Sequence, residues 1–139
     1  MRPVPEPSPE QVEALVAAAR DARDRAYAPY SGFSVGAAVL TDDGTIVAGT
    51  NVENAAYPLS VCAERTAVQA AVSGGVRRLV AVAVAASAEA PTWPCGGCRQ
   101  VLHEFGPDML VVSEGDSGER QQRRLADLLP DAFGPRDLP

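Results

Sequence analysis

The chain has 139 residues, of which 46% are hydrophobic and 22% are charged, a size and composition that suit one globular domain with a core of its own. Twelve basic and 18 acidic side chains give a net charge of −6, which argues against nucleic-acid polymers as partners, because tight binding to them needs a basic surface. No apolar run approaches the ~20 residues that span a membrane, and residues 1–7 contain no apolar secretion segment. We therefore expect a single cytoplasmic domain over residues 1–139, with flexible ends at 1–7 and about 135–139.

The first predicted element is a helix that begins at Pro9. Ser8 and Gln11 have the spacing of a capping box, in which each side chain accepts a hydrogen bond from the other residue's backbone. Apolar residues then recur at helical spacing. The helix is expected to end near Tyr27, because Pro29 disfavours a helical conformation in the residue before it.

Strands and helices then alternate along the chain. Apolar or alternating runs predict strands at residues 34–40, 45–52, 79–86 and 109–113, and the polar run 120–125 is the weakest strand signal. Helical patterns lie at residues 62–73, 95–105 and 125–129. A turn signal at residues 42–44 joins the first two strands as a hairpin, and the later strand–helix–strand steps predict parallel pairing. This order predicts an α/β fold, a three-layer α/β/α sandwich around a mixed sheet of about five strands.

The three cysteines are the first candidates for chemistry, since an odd number favours metal binding or thiol chemistry over a disulfide framework. Cys95 and Cys98 are three residues apart at a predicted helix start, which puts both sulfurs on one side, and Cys62 begins another helix. Helix N-termini favour anions, so thiolates form readily there. Three thiolates suit tetrahedral Zn²⁺ with its fourth position open to water, the arrangement of a catalytic site. The sole histidine, His103, is turned away from Cys98 by its position on the helix.

Glu64 is the candidate proton carrier of this site. Its side chain can converge with that of Cys62 if Cys62 is the non-helical N-cap. A Cys-x-Glu segment with a distant Pro-Cys-x-x-Cys is the pattern of the zinc nucleobase deaminases, in which the Glu is not a ligand. Three thiolates leave Zn²⁺ with a net negative charge, and we hypothesise that Arg65, Arg99 or both donate to a thiolate and restore the electrophilicity of the metal.

Other interpretations of the segment from Trp93 to Cys98 stay open on these residues. Trp followed by Cys-x-x-Cys at a helix start is also found in thiol–disulfide oxidoreductases, although here Pro94 intervenes, and Cys62 and Glu64 would then have no role. A purely structural zinc site would need a fourth ligand, which the chain does not visibly supply. A zinc-stabilised binding protein without enzymatic activity would share the same metal site.

Several segments, in the same chain order, resemble the short-form cytidine deaminases, the homotetrameric zinc enzymes of nucleoside salvage. They are Ala28-Pro29-Tyr30-Ser31-x-Phe33-x-Val35-Gly36-Ala37, Asn51-Val52-Glu53-Asn54-Ala55-Ala56-Tyr57-Pro58, Cys62-Ala63-Glu64-Arg65, Pro94-Cys95-Gly96-x-Cys98-Arg99-Gln100-Val101-Leu102 and Leu128-Leu129-Pro130-x-x-Phe133-Gly134. The metal signature is shared by many deaminases, whereas the segment with Asn51 and Glu53 is more specific to free nucleosides. The resemblance implies hydrolytic deamination of cytidine and deoxycytidine to uridine and deoxyuridine, with release of ammonia.

The resemblance also implies a role for each matching residue. One Zn²⁺ per chain would be held by Cys62, Cys95 and Cys98. Glu64 would take a proton from the attacking water, hand it to the pyrimidine ring nitrogen and then protonate the leaving amine. The remaining residues would bind substrate, with the ribose hydroxyls at Asn51 and Glu53, the base at Phe33 and the main chain of Ala63, Tyr57 beside them, and Phe133 reaching the site of a neighbouring subunit. A homotetramer with sites at the subunit contacts is therefore expected.

The residues agree with the resemblance and depart from it at two points. Asn51 and Glu53, two residues apart at a strand end, point the same way, so both can face one sugar. The family commonly has Ser at the position of Trp93. If only the backbone carbonyl of this residue faces the amine, the chemistry is kept and only the packing changes, whereas an indole in the pocket would change the substrate range. The alternative function is deamination of a modified cytosine nucleoside or nucleoside antibiotic. The run 118–125 is more polar than an interior strand of that family, which weighs against the fifth strand.

Overall fold

The computed structural model describes residues 5–139, so the predicted flexible segment 1–7 lies partly outside the described residues. The helices are α1 (Pro9–Arg23), α2 (Ala63–Ser73), α3 (Gly96–Phe105) and the single turn α4 (Leu125–Leu128). The strands are β1 (Val35–Thr41), β2 (Ile46–Thr50), β3 (Leu79–Ala86), β4 (Leu110–Glu114) and β5 (Arg120–Arg124). Short 3₁₀ turns occupy Tyr57–Leu59 and Pro135–Asp137.

The capping box predicted at the start of α1 is confirmed. Gln11 N–H donates to Ser8 Oγ at 3.1 Å, and Ser8 N–H donates to Gln11 Oε1 at 2.9 Å. The predicted end near Tyr27 is wrong, since α1 ends at Arg23. Tyr27 has left the helix because its backbone pairs with the segment that follows β2. It donates to Asn51 O at 3.0 Å and accepts from Glu53 N–H at 2.9 Å.

All five strands form one mixed sheet in the order β2-β1-β3-β4-β5. β3 and β4 are parallel, as predicted for two strands joined through α3, and the other neighbours are antiparallel. β5 confirms the strand predicted from the polar run 120–125. Its polarity has a simple cause, because it lies at the sheet edge with four of its five residues exposed, where charged side chains prevent edge-to-edge association.

Helices cover both faces of the sheet, which confirms the three-layer α/β/α sandwich. α1 packs on one face, where its buried residues meet those of β1 and β3. α2 and α3 pack on the other face, together with Leu125 of α4. All eight residues of β3 are buried, as expected of a central strand, and each fully buried Val or Leu contributes about 1.5–3 kcal/mol. No helix within residues 5–139 is long and apolar enough to cross a bilayer.

A close backbone contact determines where α2 begins. A Cβ added to Gly49 of β2 would lie 2.5 Å from Ala67 N and 3.0 Å from Ala63 O, so only glycine lets α2 lie this near to the strand. Ala63 packs in a small cluster with Val84 and Ala86, at the carboxyl end of β3. The N-terminus of α2 is therefore held beside the loop that leads from β3 to α3.

Candidate active site

The N-termini of α2 and α3 meet at a cluster of three sulfurs. Cys62 is the N-cap of α2, Cys95 is the N-cap of α3, and Cys98 lies in the first turn of α3. The three Sγ atoms lie within 4.8 Å of one another, and those of Cys62 and Cys95 are 4.0 Å apart. Sulfurs bound at about 2.3 Å to a tetrahedral Zn²⁺ would be roughly 3.8 Å apart. The donor set and its spacing therefore fit a zinc ion.

Protons shared among these sulfurs dominate the electrostatics of the cluster. The pKa of the Cys62 thiol is lowered to about 5, first by a hydrogen bond from Cys98 and then by Arg65. The same sulfur–sulfur bond, together with burial, raises the pKa of Cys98. Metals bind thiolates, so a divalent cation in the cluster would displace the shared protons.

The two arginines beside the cluster have different partners. Nη2 of Arg65 donates to Cys62 Sγ at 3.5 Å, which is the contact hypothesised for at least one of them. Arg99 instead donates from Nε to Pro94 O at 2.7 Å and from Nη1 to Leu128 O at 2.8 Å. Arg99 thus ties the residue before Cys95 to the end of α4.

Glu64 lies next to the sulfurs in the first turn of α2, with only 5% of its surface exposed. Cys62 is the extended N-cap, with φ −69° and ψ 152°, which is the condition under which the two side chains can converge. Burial is the main cause that raises the pKa of the Glu64 carboxyl, and the neighbouring Cys62 charge adds to it. A buried carboxyl of this kind can both accept and donate a proton.

A cavity of about 230 Å³ brings most of the predicted site residues together. Its lining includes Cys62 and Cys95 of the sulfur cluster together with Glu64. It also includes the predicted substrate residues Phe33, Asn51, Glu53 and Ala63. A second cavity of about 290 Å³ shares Glu53 and Ser60 with it and is also lined by Tyr30, Ser31 and Tyr57. Because they share lining residues, the two cavities are adjacent, and together they are here called the cleft. Cys98 is buried beneath it.

Asn51 uses half of its side-chain hydrogen-bonding capacity within the protein. Oδ1 accepts from Val35 N at 2.9 Å, and Nδ2 donates to Phe33 O at 2.8 Å. A primary amide has two N–H donors and two acceptor lone pairs. One of each remains for a ligand, while the other pair holds the start of β1 in place.

The Glu53 carboxylate is held by the loop that precedes Phe33. Oε1 accepts from the backbone N–H groups of Tyr30 and Ser31, at 3.0 and 3.1 Å, and Oε2 accepts from the Ser31 hydroxyl. The pKa of Glu53 is lowered, chiefly by the bond from the Ser31 hydroxyl. This group is therefore an ionised hydrogen-bond acceptor at neutral pH.

Trp93 lines the cavity, and its side chain also packs against the core cluster of α2, α3 and β4. The Arg123 guanidinium lies 5.2 Å from the centroid of its ring, within the range of a cation–π interaction. These contacts attach the loop before Cys95 to the edge strand β5.

Two predicted substrate residues lie at the periphery of the cleft. Tyr57 is 68% exposed and contacts Tyr30 with ring centroids 5.8 Å apart. Phe133 is 59% exposed and is not in the lining of either cavity. Its carbonyl accepts a hydrogen bond from Gln100 Nε2 at 2.8 Å, which places the segment beside α3.

Comparison with known proteins identifies the family. The family model described as "Cytidine and deoxycytidylate deaminase zinc-binding region" matches residues 9–114. The chain belongs to this family. A cytidine deaminase of Sporosarcina psychrophila is 51% identical over 128 residues, covering 91% of this chain and 94% of that protein. One of Mycobacterium tuberculosis is 51% identical over 114 residues, covering 82% and 83%.

Solved cytidine deaminase structures share the fold. That of Burkholderia pseudomallei superposes with a TM-score of 0.84 at 49% identity, covering 87% of this chain and 98% of that one. That of M. tuberculosis has a TM-score of 0.76 at 45% identity, with 88% and 97% covered. The three-cysteine cluster described above lies within the matched zinc-binding region.

Several residues of the cleft have no role that the sequence predicts. Ser60 and Thr92 line it and have no distinctive sequence signal. Ser31 belongs to one of the segments that resemble the cytidine deaminases, and the sequence around it contains a signal for a serine turn. A serine two residues before an extended stretch often accepts the backbone N–H two residues on, which is what Ser31 Oγ does with Phe33 N at 3.0 Å.

Proposed function

We propose that this chain is a zinc-dependent cytidine deaminase, which hydrolyses cytidine and deoxycytidine to uridine and deoxyuridine and releases ammonia. The observation that carries the proposal is one cavity that brings two cysteines of the three-sulfur cluster together with the buried Glu64 and the predicted substrate residues. Its lining includes Cys62, Cys95, Glu64, Phe33, Asn51 and Glu53. The names of the relatives support the same reaction.

Zinc held by Cys62, Cys95 and Cys98 would make water a nucleophile at neutral pH. Glu64 accepts one proton of the attacking water while the water oxygen forms a bond to C4 of the pyrimidine. Glu64 then donates that proton to ring nitrogen N3. Glu64 then takes the remaining water proton from the C4 hydroxyl and transfers it to the exocyclic amine, while the bond between C4 and the exocyclic nitrogen breaks. Ammonia leaves and the uracil carbonyl forms, so atoms and charges balance.

The other residues of the cleft orient the nucleoside. Glu53 accepts a hydrogen bond from a ribose hydroxyl, and the unused N–H and lone pair of Asn51 bind the same sugar. Phe33 packs against the base, and the main chain of Ala63 contacts the edge of the base. The net charge of −6 favours a free nucleoside over a polyanionic polymer.

We further propose that the enzyme is a homotetramer. Large apolar side chains are exposed at Tyr27, Tyr30, Tyr57, Leu59 and Phe133, and neighbouring subunits would cover them. Phe133 would then reach the cleft of the next subunit. Light scattering measures the mass in solution, and a monomer at assay concentrations would contradict this arrangement. We place the enzyme in the cytoplasm, where thiols stay reduced.

The central test is turnover of cytidine by the purified protein together with its metal content. We expect loss of the aminopyrimidine absorbance, stoichiometric ammonia and about one zinc per chain. A zinc-loaded protein that turns over no cytosine nucleoside would refute the proposed reaction. A Cys95–Cys98 disulfide formed under oxidant, without stoichiometric metal, would favour thiol–disulfide chemistry instead.

One observation favours a second candidate substrate. Trp93 lines the cleft at a position where the cytidine deaminases that the chain resembles commonly have Ser. The alternative is a deaminase of a modified cytosine nucleoside or nucleoside antibiotic. Parallel measurements of kcat/KM on cytidine and on a base-modified cytosine nucleoside separate the two, and a higher value for the modified nucleoside would favour the alternative.

A further inference from the structure

The Ser31 hydroxyl joins two parts of the cleft that lie far apart in the sequence. It accepts from Phe33 N at 3.0 Å and donates to Glu53 Oε2. The backbone N–H groups of Tyr30 and Ser31 bind the other carboxylate oxygen. One short loop therefore holds both Phe33 and a carboxylate that is 22 residues away from Ser31.

These bonds leave the Glu53 carboxylate with little capacity to accept further hydrogen bonds. An ionised carboxylate has about four acceptor sites, two on each oxygen. Two N–H donors occupy Oε1, and the Ser31 hydroxyl occupies one site on Oε2. The remaining site is on Oε2, so the orientation that Ser31 imposes decides where Glu53 can accept a further hydrogen bond.

A purely local turn does not account for this arrangement. A serine that only stabilised its own turn would need to accept the N–H of Phe33 and nothing more. Here the hydroxyl hydrogen is directed to a carboxylate that lines both cavities of the cleft. The bond therefore connects the loop to the surface that faces a ligand.

We propose that Ser31 is a positioning residue, which orients the Glu53 carboxylate toward a 2′- or 3′-hydroxyl of the sugar. This inference rests on the proposed function and deepens it. Ser31 itself does not touch the reacting atoms. It acts through Glu53, so its contribution depends on whether the substrate has a hydroxyl for Glu53 to accept.

Ser31→Ala and Ser31→Thr, assayed on cytidine and on 2′,3′-dideoxycytidine, test the inference. Ser31→Ala should raise KM for cytidine about tenfold, the size expected when a bond to a charged group is lost, with kcat changed less than about twofold. KM for the dideoxynucleoside, which lacks the 2′- and 3′-hydroxyls proposed to donate to Glu53, should stay within about twofold. Ser31→Thr keeps a hydroxyl and should restore most of the affinity for cytidine.

Ser87→Ala is the matched control. The Ser87 hydroxyl also accepts a backbone N–H at the start of β1, from Ser34 at 2.9 Å, and its hydrogen-bond partner is not Glu53. This variant should leave both KM values unchanged. Activity of Ser31→Ala on the dideoxynucleoside shows that the variant is folded. Ser31→Ala added to Glu53→Gln should raise KM no further than Glu53→Gln alone, since coupled residues are not additive.

The outcomes separate the inference from the function on which it rests. If wild-type protein fails on cytidine, the proposed function is wrong. If wild-type protein is active and Ser31→Ala matches it on cytidine, weakens both substrates equally, or adds fully to Glu53→Gln, the positioning role is wrong. A selective rise in KM for cytidine that Ser31→Thr reverses supports it.

Discussion

The first turns of α2 and α3 have similar backbone conformations but different side chains. Each follows a cysteine N-cap with an extended backbone. The third helical position, which lies near the N-cap side chain, is Arg65 in α2 and Cys98 in α3. The second is the buried Glu64 in α2, whereas in α3 it is Gly97, where a Cβ would meet nothing within 4 Å.

This difference divides the functions of the site between the two helices. α2 contributes one thiol, a cation that donates to it and the buried Glu64 carboxyl, which is the proposed proton carrier. α3 contributes two thiols and open space at its glycines. We therefore expect changes in the first turn of α2 to affect turnover most, and changes around α3 to affect metal retention and stability most.

The largest effect is expected from removal of a thiol on the α3 side. Cys98→Ser should weaken zinc binding by more than about a hundredfold, because groups that only support a ligand already cost 10–100-fold. Zinc content after dialysis and the melting temperature measure this, and a metal chelator should lower the melting temperature of the wild-type protein in the same direction. Gly97→Ala is the control in the same turn, since its Cβ meets open space. Full zinc retention by Cys98→Ser would rule out the three-thiol site.

Glu64→Gln should have the next largest effect, and on turnover alone. A lost general acid–base group costs about 10²–10⁴ in rate, so kcat should fall by that range while zinc content stays at the wild-type level. Single-turnover kinetics with zinc analysis on the same sample gives both quantities. If zinc is lost together with activity, Glu64 belongs to the metal site and the division between the helices fails.

The two arginines provide the most direct contrast. Arg65→Gln removes the donor to Cys62 Sγ and should lower kcat about tenfold. Arg99→Gln removes donors to Pro94 O and Leu128 O and should leave kcat within about twofold while lowering the free energy of unfolding by about 1–3 kcal/mol. Kinetics and denaturant titration of both variants measure this. Equal effects on kcat would show that the two arginines are equivalent, and unchanged kcat in both would exclude the thiolate contact from catalysis.

A small effect on turnover is also expected from Trp93→Ser. The variant loses packing against the core and the contact with Arg123, which should lower the free energy of unfolding by about 2 kcal/mol. The value of kcat/KM on cytidine should stay within about threefold. An unchanged melting temperature with a large change in kcat/KM would instead show that the indole contacts the substrate.

Most of the fold could be predicted because its signals are local. The capping box at Ser8 and the uniformly apolar β3 each depend on neighbouring residues, and both are confirmed. The end of α1 was predicted four residues too late, at Tyr27 instead of Arg23. The cause is not local, since Tyr27 is drawn into a backbone pairing with Asn51.

The sequence by itself determined which groups are available for the chemistry. Spacing alone predicts that two helices begin at cysteines and that the side chain of Glu64 can approach that of Cys62. This is possible because the direction of a side chain in a first turn depends on few backbone angles. The same spacing could not show that the Cys62 and Cys95 sulfurs, 33 residues apart, lie 4.0 Å from each other. That distance depends on sheet register and on the close approach of α2 to Gly49.

The tertiary structure alone decided how the long and polar side chains are used. Arg65 and Arg99 are the same residue type beside the same cluster, yet one meets a sulfur and the other meets two carbonyls. The Asn51 amide bonds to the backbone of Phe33 and Val35, and the Ser31 hydroxyl donates to Glu53. The physical reason is that a flexible donor takes the acceptors that folding brings within about 3 Å, and those acceptors come from distant parts of the chain.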